Sequence, residues 1–221
     1  MQINTINAHS FNVAQRDKDF ARALMQSGAV LPDGVGIVLA WRWLFKKRIA
    51  RITGWDLFRH EMHLWHTQAR EENAPKKVFM LGSSEAVLEK MVQRALEEYP
   101  MLEVHTYSPP YKPEFSEAEN AAMIEAVNRV RPEALFIGMT APKQEKWAFE
   151  HFDELDVLGH ICTVGAVFDF YAGTVKRAPR WWQRHGLEWL YRFLMEPRRM
   201  CNRYLVGNVK FIYFLLSEKK L

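Results

Sequence analysis

Two cysteines in 221 residues leave no room for a disulfide scaffold, and a four-thiolate zinc site is impossible. No apolar run approaches the ~20 residues of a membrane span. The longest, Gly34 to Leu44, is broken by Arg42. The first residues, MQINTINAHSF, lack the basic-then-apolar order of a signal peptide. These absences predict a soluble or peripheral protein of the cytosol. Signature motifs are missing too: there is no G-K-[ST], no G-x-S-x-G and no H-E-x-x-H. A nicotinamide-dependent enzyme fails on the missing glycine fingerprint. Internal repeats and low-complexity segments are also absent.

What is present is globular. Hydrophobic residues make up 48% and charged residues 25%, which excludes a disordered or collagen-like chain. The length suits roughly one domain, or one and a half, with a real core. Charge is uneven. Lys176 to Leu221 holds 11 basic and 3 acidic residues, a net of +8, whereas residues 1–175 carry −4. The same stretch holds Trp181, Trp182, Trp189, Tyr191, Phe193, Tyr204, Phe211, Tyr213 and Phe214. Basic plus aromatic composition suits a surface that meets anionic lipid or nucleic acid. A solvated cationic helix face is the plain alternative.

Apolar runs alternate with helical patterns. QINTIN at 2–7 is β-rich, and a helical pattern follows through Phe11, Ala14, Phe20, Ala21 and Leu24. Ala29–Leu31 is a short apolar run closed by Pro32-Asp33-Gly34, after which Val35–Phe45 reads as a buried helix. Lys76–Leu81, Glu103–Tyr107, Ala134–Ile137 and His160–Val164 read as strands. Helices are expected over 85–98, from the capping box at Ser116 to before Pro132, and from near Pro142. After Ala178 the pattern is helical only. This predicts an α/β fold: a Rossmann-like parallel sheet with helices on both faces, plus a helical basic C-terminal appendage. The expected division is residues 1–175 and 176–221.

In such sheets ligands sit at the carboxyl ends of the strands. Gly82-Ser83-Ser84 there offers a helix start for a phosphate, or a plain turn. Asp33 offers a general base, or merely a helix N-cap. Asp17-Lys18-Asp19 has the spacing of a metal-holding D-x-D, but it falls inside a helical pattern, where residues two apart do not share a face. His60, His63 and His66 suit an ordinary amphipathic helix better than a zinc site. Cys162 and Cys201 lack any context that would activate a thiol.

Several segments taken together resemble one family. They are Thr5-Ile6-Asn7-Ala8, Leu31-Pro32-Asp33-Gly34-Val35-Gly36, Arg51-Ile52-Thr53-Gly54-Trp55-Asp56-Leu57 and Gly138-Met139-Thr140-Ala141-Pro142-Lys143-Gln144-Glu145. To these add the run from Phe168 through Val175-Lys176-Arg177-Ala178-Pro179, and Gly186-Leu187-Glu188-Trp189-Leu190-Tyr191-Arg192. The pattern is similar to that of the WecG/TagA/CpsF glycosyltransferases, family 26 of the sugar transferases, over nearly the whole chain. The resemblance implies an inverting transfer of a sugar from a UDP-sugar donor to a polyprenyl-diphosphate-linked sugar. The setting would be the cytoplasmic membrane face, in common antigen, teichoic acid linkage or exopolysaccharide synthesis. It implies no cofactor, no metal and no nucleic acid, and a homo-oligomer is compatible with it. Members carry a longer segment before the first T-x-N strand, so the sheet edge here is expected to be less covered.

Resemblance and position together assign roles. Asp33 would be the base. Thr5 and Asn7 would line the same cleft, and Gln144 would contact the donor sugar or the acceptor. Arg51 would hold the leaving diphosphate, with Lys176, Arg177 and Arg180 next in line. Tyr111 and Asp169 would hold the uridine. The tail would dock on anionic lipid through Arg184, Arg192, Arg198, Arg199, Arg203 and Lys210. Trp181, Trp182, Trp189, Tyr204, Phe211 and Phe214 would enter the interface. The competing class is a non-catalytic module that binds anionic lipid or another polyanion.

Overall fold

Val78 and Met80 point to one face of their strand, and Phe79 and Leu81 to the other; all four are buried. A strand that is apolar on both faces needs a layer on each side. The computed structural model, which describes residues 1–197 and 206–218, supplies both layers. Six strands form one parallel sheet: β1 (Gln2–Ile6), β2 (Ala29–Pro32), β3 (Lys76–Gly82), β4 (Leu102–Tyr107), β5 (Ala134–Gly138) and β6 (His160–Thr163). Their spatial order is β2-β1-β6-β5-β3-β4. The helices are α1 (Ala8–Ala14), α2 (Lys18–Met25), α3 (Val35–Phe45), α4 (Gly54–Glu72), α5 (Glu85–Glu98), α6 (Glu117–Val130), α7 (Lys143–Glu150) and α8 (Val167–Tyr171). After them come α9 (Arg180–Arg184), α10 (Glu188–Met195) and α11 (Gly207–Glu218).

Leu57, Phe58 and Met62 of α4, Leu88 and Met91 of α5, and Phe168 and Tyr171 of α8 pack with Val78, Met80 and Phe136 on one face. Met123 and Val127 of α6 and Trp147 and Ala148 of α7 cover Phe79, Leu81, Leu135 and Ile137 on the other. The expected α/β sheet with two helical layers is therefore observed. The capping box at Ser116 is also present: Ser116 Oγ accepts from Glu119 N, while the Glu119 carboxylate accepts from Ser116 N.

Three expectations change. The helical pattern after β1 is two helices. Asp17 caps α2, accepting from Phe20 N at 2.9 Å and pairing with Lys146 at 3.3 Å, so the D-x-D opens a helix instead of lying within one. α3 is not a buried helix. It follows the edge strand β2, and only Ala40 is fully buried, while Leu39, Trp41, Leu44 and Phe45 are exposed. The tail aromatics are divided. Phe211 is buried and, with Phe214, packs edge-on against Phe11 of α1. Trp182 packs on Tyr191, and Trp181 is exposed. Arg198, Arg199, Cys201, Arg203 and Tyr204 lie outside the described residues.

Candidate active site

Register places the first two strand ends side by side. Ile6 pairs with Pro32, so Asn7 and Asp33 leave the sheet together, and Asp33 N donates to Ile6 O at 2.9 Å. Above the carboxyl ends of β2, β1, β6 and β5 lies a cavity of about 720 Å³. Its floor is Thr5, Asn7, Asp33, Met139–Ala141 and Val164–Ala166. The N-termini of α3 and α4 open onto it, and α10 and α11 close it from above. The size suits a small-molecule ligand. Helix N-termini facing it favour negative charge.

Asp33 is not the N-cap of α3. Gly34 occupies that position, and no side chain caps the helix. Among the described residues no hydrogen bond holds the Asp33 carboxylate, which faces the cavity. Burial pushes its carboxyl up to about 7, with Glu188 adding to the rise and Arg192 and Arg51 opposing it. A carboxylate poised near neutrality can accept a proton from a substrate hydroxyl.

The tail and the segment between α3 and α4 together supply the charges. Arg177 Nε donates to Glu188 Oε1 at 3.0 Å, and Arg51 Nη2 lies 3.5 Å from Glu188 Oε2. Arg51 also donates to Gln183 O at 2.9 Å. Arg177 stacks over Trp55 and Arg192 over Phe170. Two guanidinium groups thus hold the Glu188 carboxylate, and Arg192, one helical turn on, lines the same cavity as Asp33. Gly186, at φ 69°, turns the chain between α9 and α10, and a Cβ there would meet Val35 Cβ at 3.0 Å.

Beneath the floor runs a buried polar network. Gln144 Oε1 accepts from Met139 N at 3.2 Å and Gly165 N at 3.1 Å, joining the loops after β5 and β6. Its Nε2 donates to Glu145 Oε1 at 2.7 Å. Thr163 Oγ1 and Gln2 Nε2 both donate to Asn4 Oδ1. Glu145 Oε2 and Asn4 Nδ2 have no partner among the described residues. Burial raises the Glu145 carboxyl to about 7, above its usual 4.5. The folded protein therefore binds this proton more tightly than the unfolded chain, and stability falls as pH climbs from 4.5 to 7. Glu145→Gln should melt near the parent at pH 4 and above it at pH 8. An unchanged difference across that range in thermal melts would contradict the assignment.

The predicted residues separate cleanly. Thr5, Asn7, Asp33, Arg51, Gln144 and Arg177 line the cavity. Asn7 Oδ1 is spent on α1, accepting from His9 N and Ser10 N, which leaves its Nδ2 for the cavity. Tyr111 does not belong: it is 101% exposed on the loop after β4, the strand at the far edge of the sheet. Asp169 misses because Val167 and Phe170 present their side of α8 to the cavity, while its own carbonyl accepts from Thr174 N and Val175 N. Lys176 and Arg180 are exposed on either side of the half-buried Arg177. The Gly82-Ser83-Ser84 turn sits beyond β5, against Gly138, outside the cavity lining. His66 packs edge-on against Tyr99, and no metal-holding cluster occurs among the described residues. Cys162 is buried, and burial drives its thiol well up.

A model of the WecG/TagA/CpsF glycosyl transferase family matches residues 1–221. The chain belongs to that family. It is therefore a glycosyltransferase, and the reading as a non-catalytic module falls. One relative is the N-acetylglucosaminyldiphosphoundecaprenol N-acetyl-beta-D-mannosaminyltransferase of Bacillus subtilis (strain 168). It is 28% identical over 221 residues, covering 99% of this chain and 80% of the relative. A protein of the same name from Staphylococcus aureus (strain MW2) is 27% identical over 226 residues, with the same coverage.

In this glycosyltransferase, sequence reasoning missed Glu188 and Glu145 as cavity residues and placed Arg192 on the membrane side. The signal for the first was present. Glu188 and Arg192 are four apart on one helix and so share a face, and Arg177 and Arg51 are the cations that Glu188 meets.

Proposed function

We propose that this glycosyltransferase transfers a sugar from a UDP-sugar to a sugar carried on polyprenyl diphosphate, with inversion at the anomeric carbon. The observation that supports this most is one cavity lined by the unbound carboxylate of Asp33 and by Arg51, Arg177 and Arg192. The names of the relatives supply the acceptor class, a lipid-linked amino sugar. The acceptor hydroxyl attacks the anomeric carbon as Asp33 takes its proton. The bond from that carbon to the diphosphate oxygen breaks, and UDP leaves with the electron pair. The arginines meet the charge that grows on the diphosphate, the task a metal performs elsewhere. Both carboxylates of the D-x-D are committed to Phe20 N, Lys146 and Arg22, which favours a reaction without a divalent ion. Thr5 and the Asn7 amide hold sugar hydroxyls, and Gln144 keeps the two floor loops in register.

No helix among the described residues is long and apolar enough to cross a membrane. The acceptor diphosphate lies at headgroup level, so the enzyme works on the cytoplasmic surface of the membrane. Residues 1–175 carry the sheet chemistry, α10 and α11 close the cavity, and the tail from residue 176 binds anionic lipid through Arg184, Lys210 and their neighbours. The test is a panel of UDP-sugars against a polyprenyl-diphosphate amino sugar, with and without excess EDTA. One donor should give product at equal rates in both. A chain ending at Thr174 should lose that product and sediment with anionic vesicles more weakly than the parent. Donor turnover restored only by magnesium or manganese, or a truncated chain as active as the parent, would contradict the reading.

A further inference from the structure

α3 is apolar but for Arg42, yet it lies in neither a core nor a span. Gly36, Leu39, Ala40 and Trp43 recur at helical spacing on the side facing the cavity. The other side carries Trp41, Leu44 and Phe45, at 40%, 39% and 55% exposure. The rings of Trp41 and Phe45 sit 4.5 Å apart and form one patch. Exposed apolar patches of this kind mark interaction surfaces.

The charge around the patch identifies what covers it. Residues 34–55 contain Arg42, Lys46, Lys47, Arg48 and Arg51 and no acidic residue at all. Arg42, Lys46, Lys47 and Arg48 are exposed and make no ion pair among the described residues. Across the cavity mouth stands α11. Its Phe211 approaches Gly36, where a Cβ would meet the ring at 3.4 Å, and its Ile212 and Leu215 line the same cavity. Val209, Tyr213 and Leu216 face outward from it, matching Trp41 and Phe45 on α3. Two apolar helix faces therefore flank one opening, and the α3 side ends in a cluster of cations.

We propose that the outer face of α3, with Lys46, Lys47 and Arg48, is a membrane-docking element that seats on anionic phospholipid independently of the basic tail. Trp41 and Phe45 enter the boundary between headgroups and acyl chains, and the cations hold the headgroups. Docking there turns the cavity mouth, between α3 and α11, toward the bilayer that carries the acceptor. A second copy of the chain fits the patch poorly. A two-fold contact would place this all-basic stretch against itself. The proposal rests on the lipid-linked acceptor reading, but its test does not require turnover.

Full-length parent, Trp41→Ser/Phe45→Ser and Lys46→Gln/Lys47→Gln/Arg48→Gln proteins are sedimented with vesicles of phosphatidylglycerol and phosphatidylcholine, and with phosphatidylcholine alone. Solution mass and turnover on a short-chain, water-soluble acceptor are measured alongside. None of these side chains lines the cavity, and all are exposed, so fold and soluble turnover stay at parental levels. Each variant should bind anionic vesicles roughly tenfold or more weakly than the parent. High salt should close the gap between the parent and the glutamine variant while leaving the serine variant weaker than both. Vesicle binding equal to the parent in both variants would overturn the proposal. So would a fall in solution mass with no change in vesicle binding, which would mark a contact between copies. Absence of turnover in every protein, parent included, would count against the proposed reaction and leave the vesicle result standing.

Discussion

Asp33→Asn should reduce turnover on the order of 10²-fold or more while leaving the fold intact. The carboxylate makes no helix cap that its loss would disturb, since Gly34 holds that place. An amide of the same size keeps the shape of the floor and removes only the group that takes the proton. Stability should move the other way. The Asp33 carboxyl is raised from 3.8 to about 7 in the folded protein. The folded state thus holds this proton more tightly, so stability is lost as pH rises from about 4 to 7. The asparagine variant escapes that loss and should melt above the parent at pH 8. Each kcal/mol relieved corresponds to roughly 2–4 °C in Tm for a chain of this size. A dead variant that also melts early would show structural damage, and near-normal turnover would place the base elsewhere.

The second large effect concerns the charges facing Asp33. Arg51→Gln and Arg177→Gln should each lower kcat/KM on the order of 10²-fold, since each removes a fixed cation from the leaving diphosphate. Glu188→Gln should differ in kind. Glu188 occupies the same guanidinium groups that the diphosphate needs, so its loss frees them and should lower the donor KM. The two substitutions also shift Asp33 in opposite directions. Glu188 raises its pKa and Arg51 lowers it. The rising limb of the pH–rate profile should therefore move to lower pH in Glu188→Gln and to higher pH in Arg51→Gln. Shifts of the same sign, or none, would break the link between the tail and the base.

The sheet was legible because Val78–Leu81 of β3 and Ala134–Ile137 of β5 are apolar without interruption, a pattern that suits a strand covered on both faces. The floor of the site was legible for the same reason: strand ends mark themselves, as at Asn7 and Asp33. What a sequence does not carry is lateral order. Tyr111 and the Gly82-Ser83-Ser84 turn also follow strands, yet β3 and β4 lie at the other edge of the sheet. Nothing local to those residues distinguishes them from Asp33. α3 misled for a different reason. Its apolar sequence fits burial in a core, but it lines one side of a cavity at the sheet edge and leaves its outer side uncovered. The tail residues fell between these cases. Arg177 and Arg192 were visible as charge, but only the turn at Gly186 and the Arg177–Glu188 pair bring them to the cavity that Asp33 lines.

The most direct test of Asp33 as the base is the pH dependence of kcat/KM for the parent and Asp33→Asn between pH 5 and 9. In the parent, kcat/KM should rise with pH through an inflection near 7, the value to which burial lifts the Asp33 carboxyl. In the variant, the residual rate should lack that inflection. An inflection near 7 that survives in Asp33→Asn would assign the titration to another group and contradict the account.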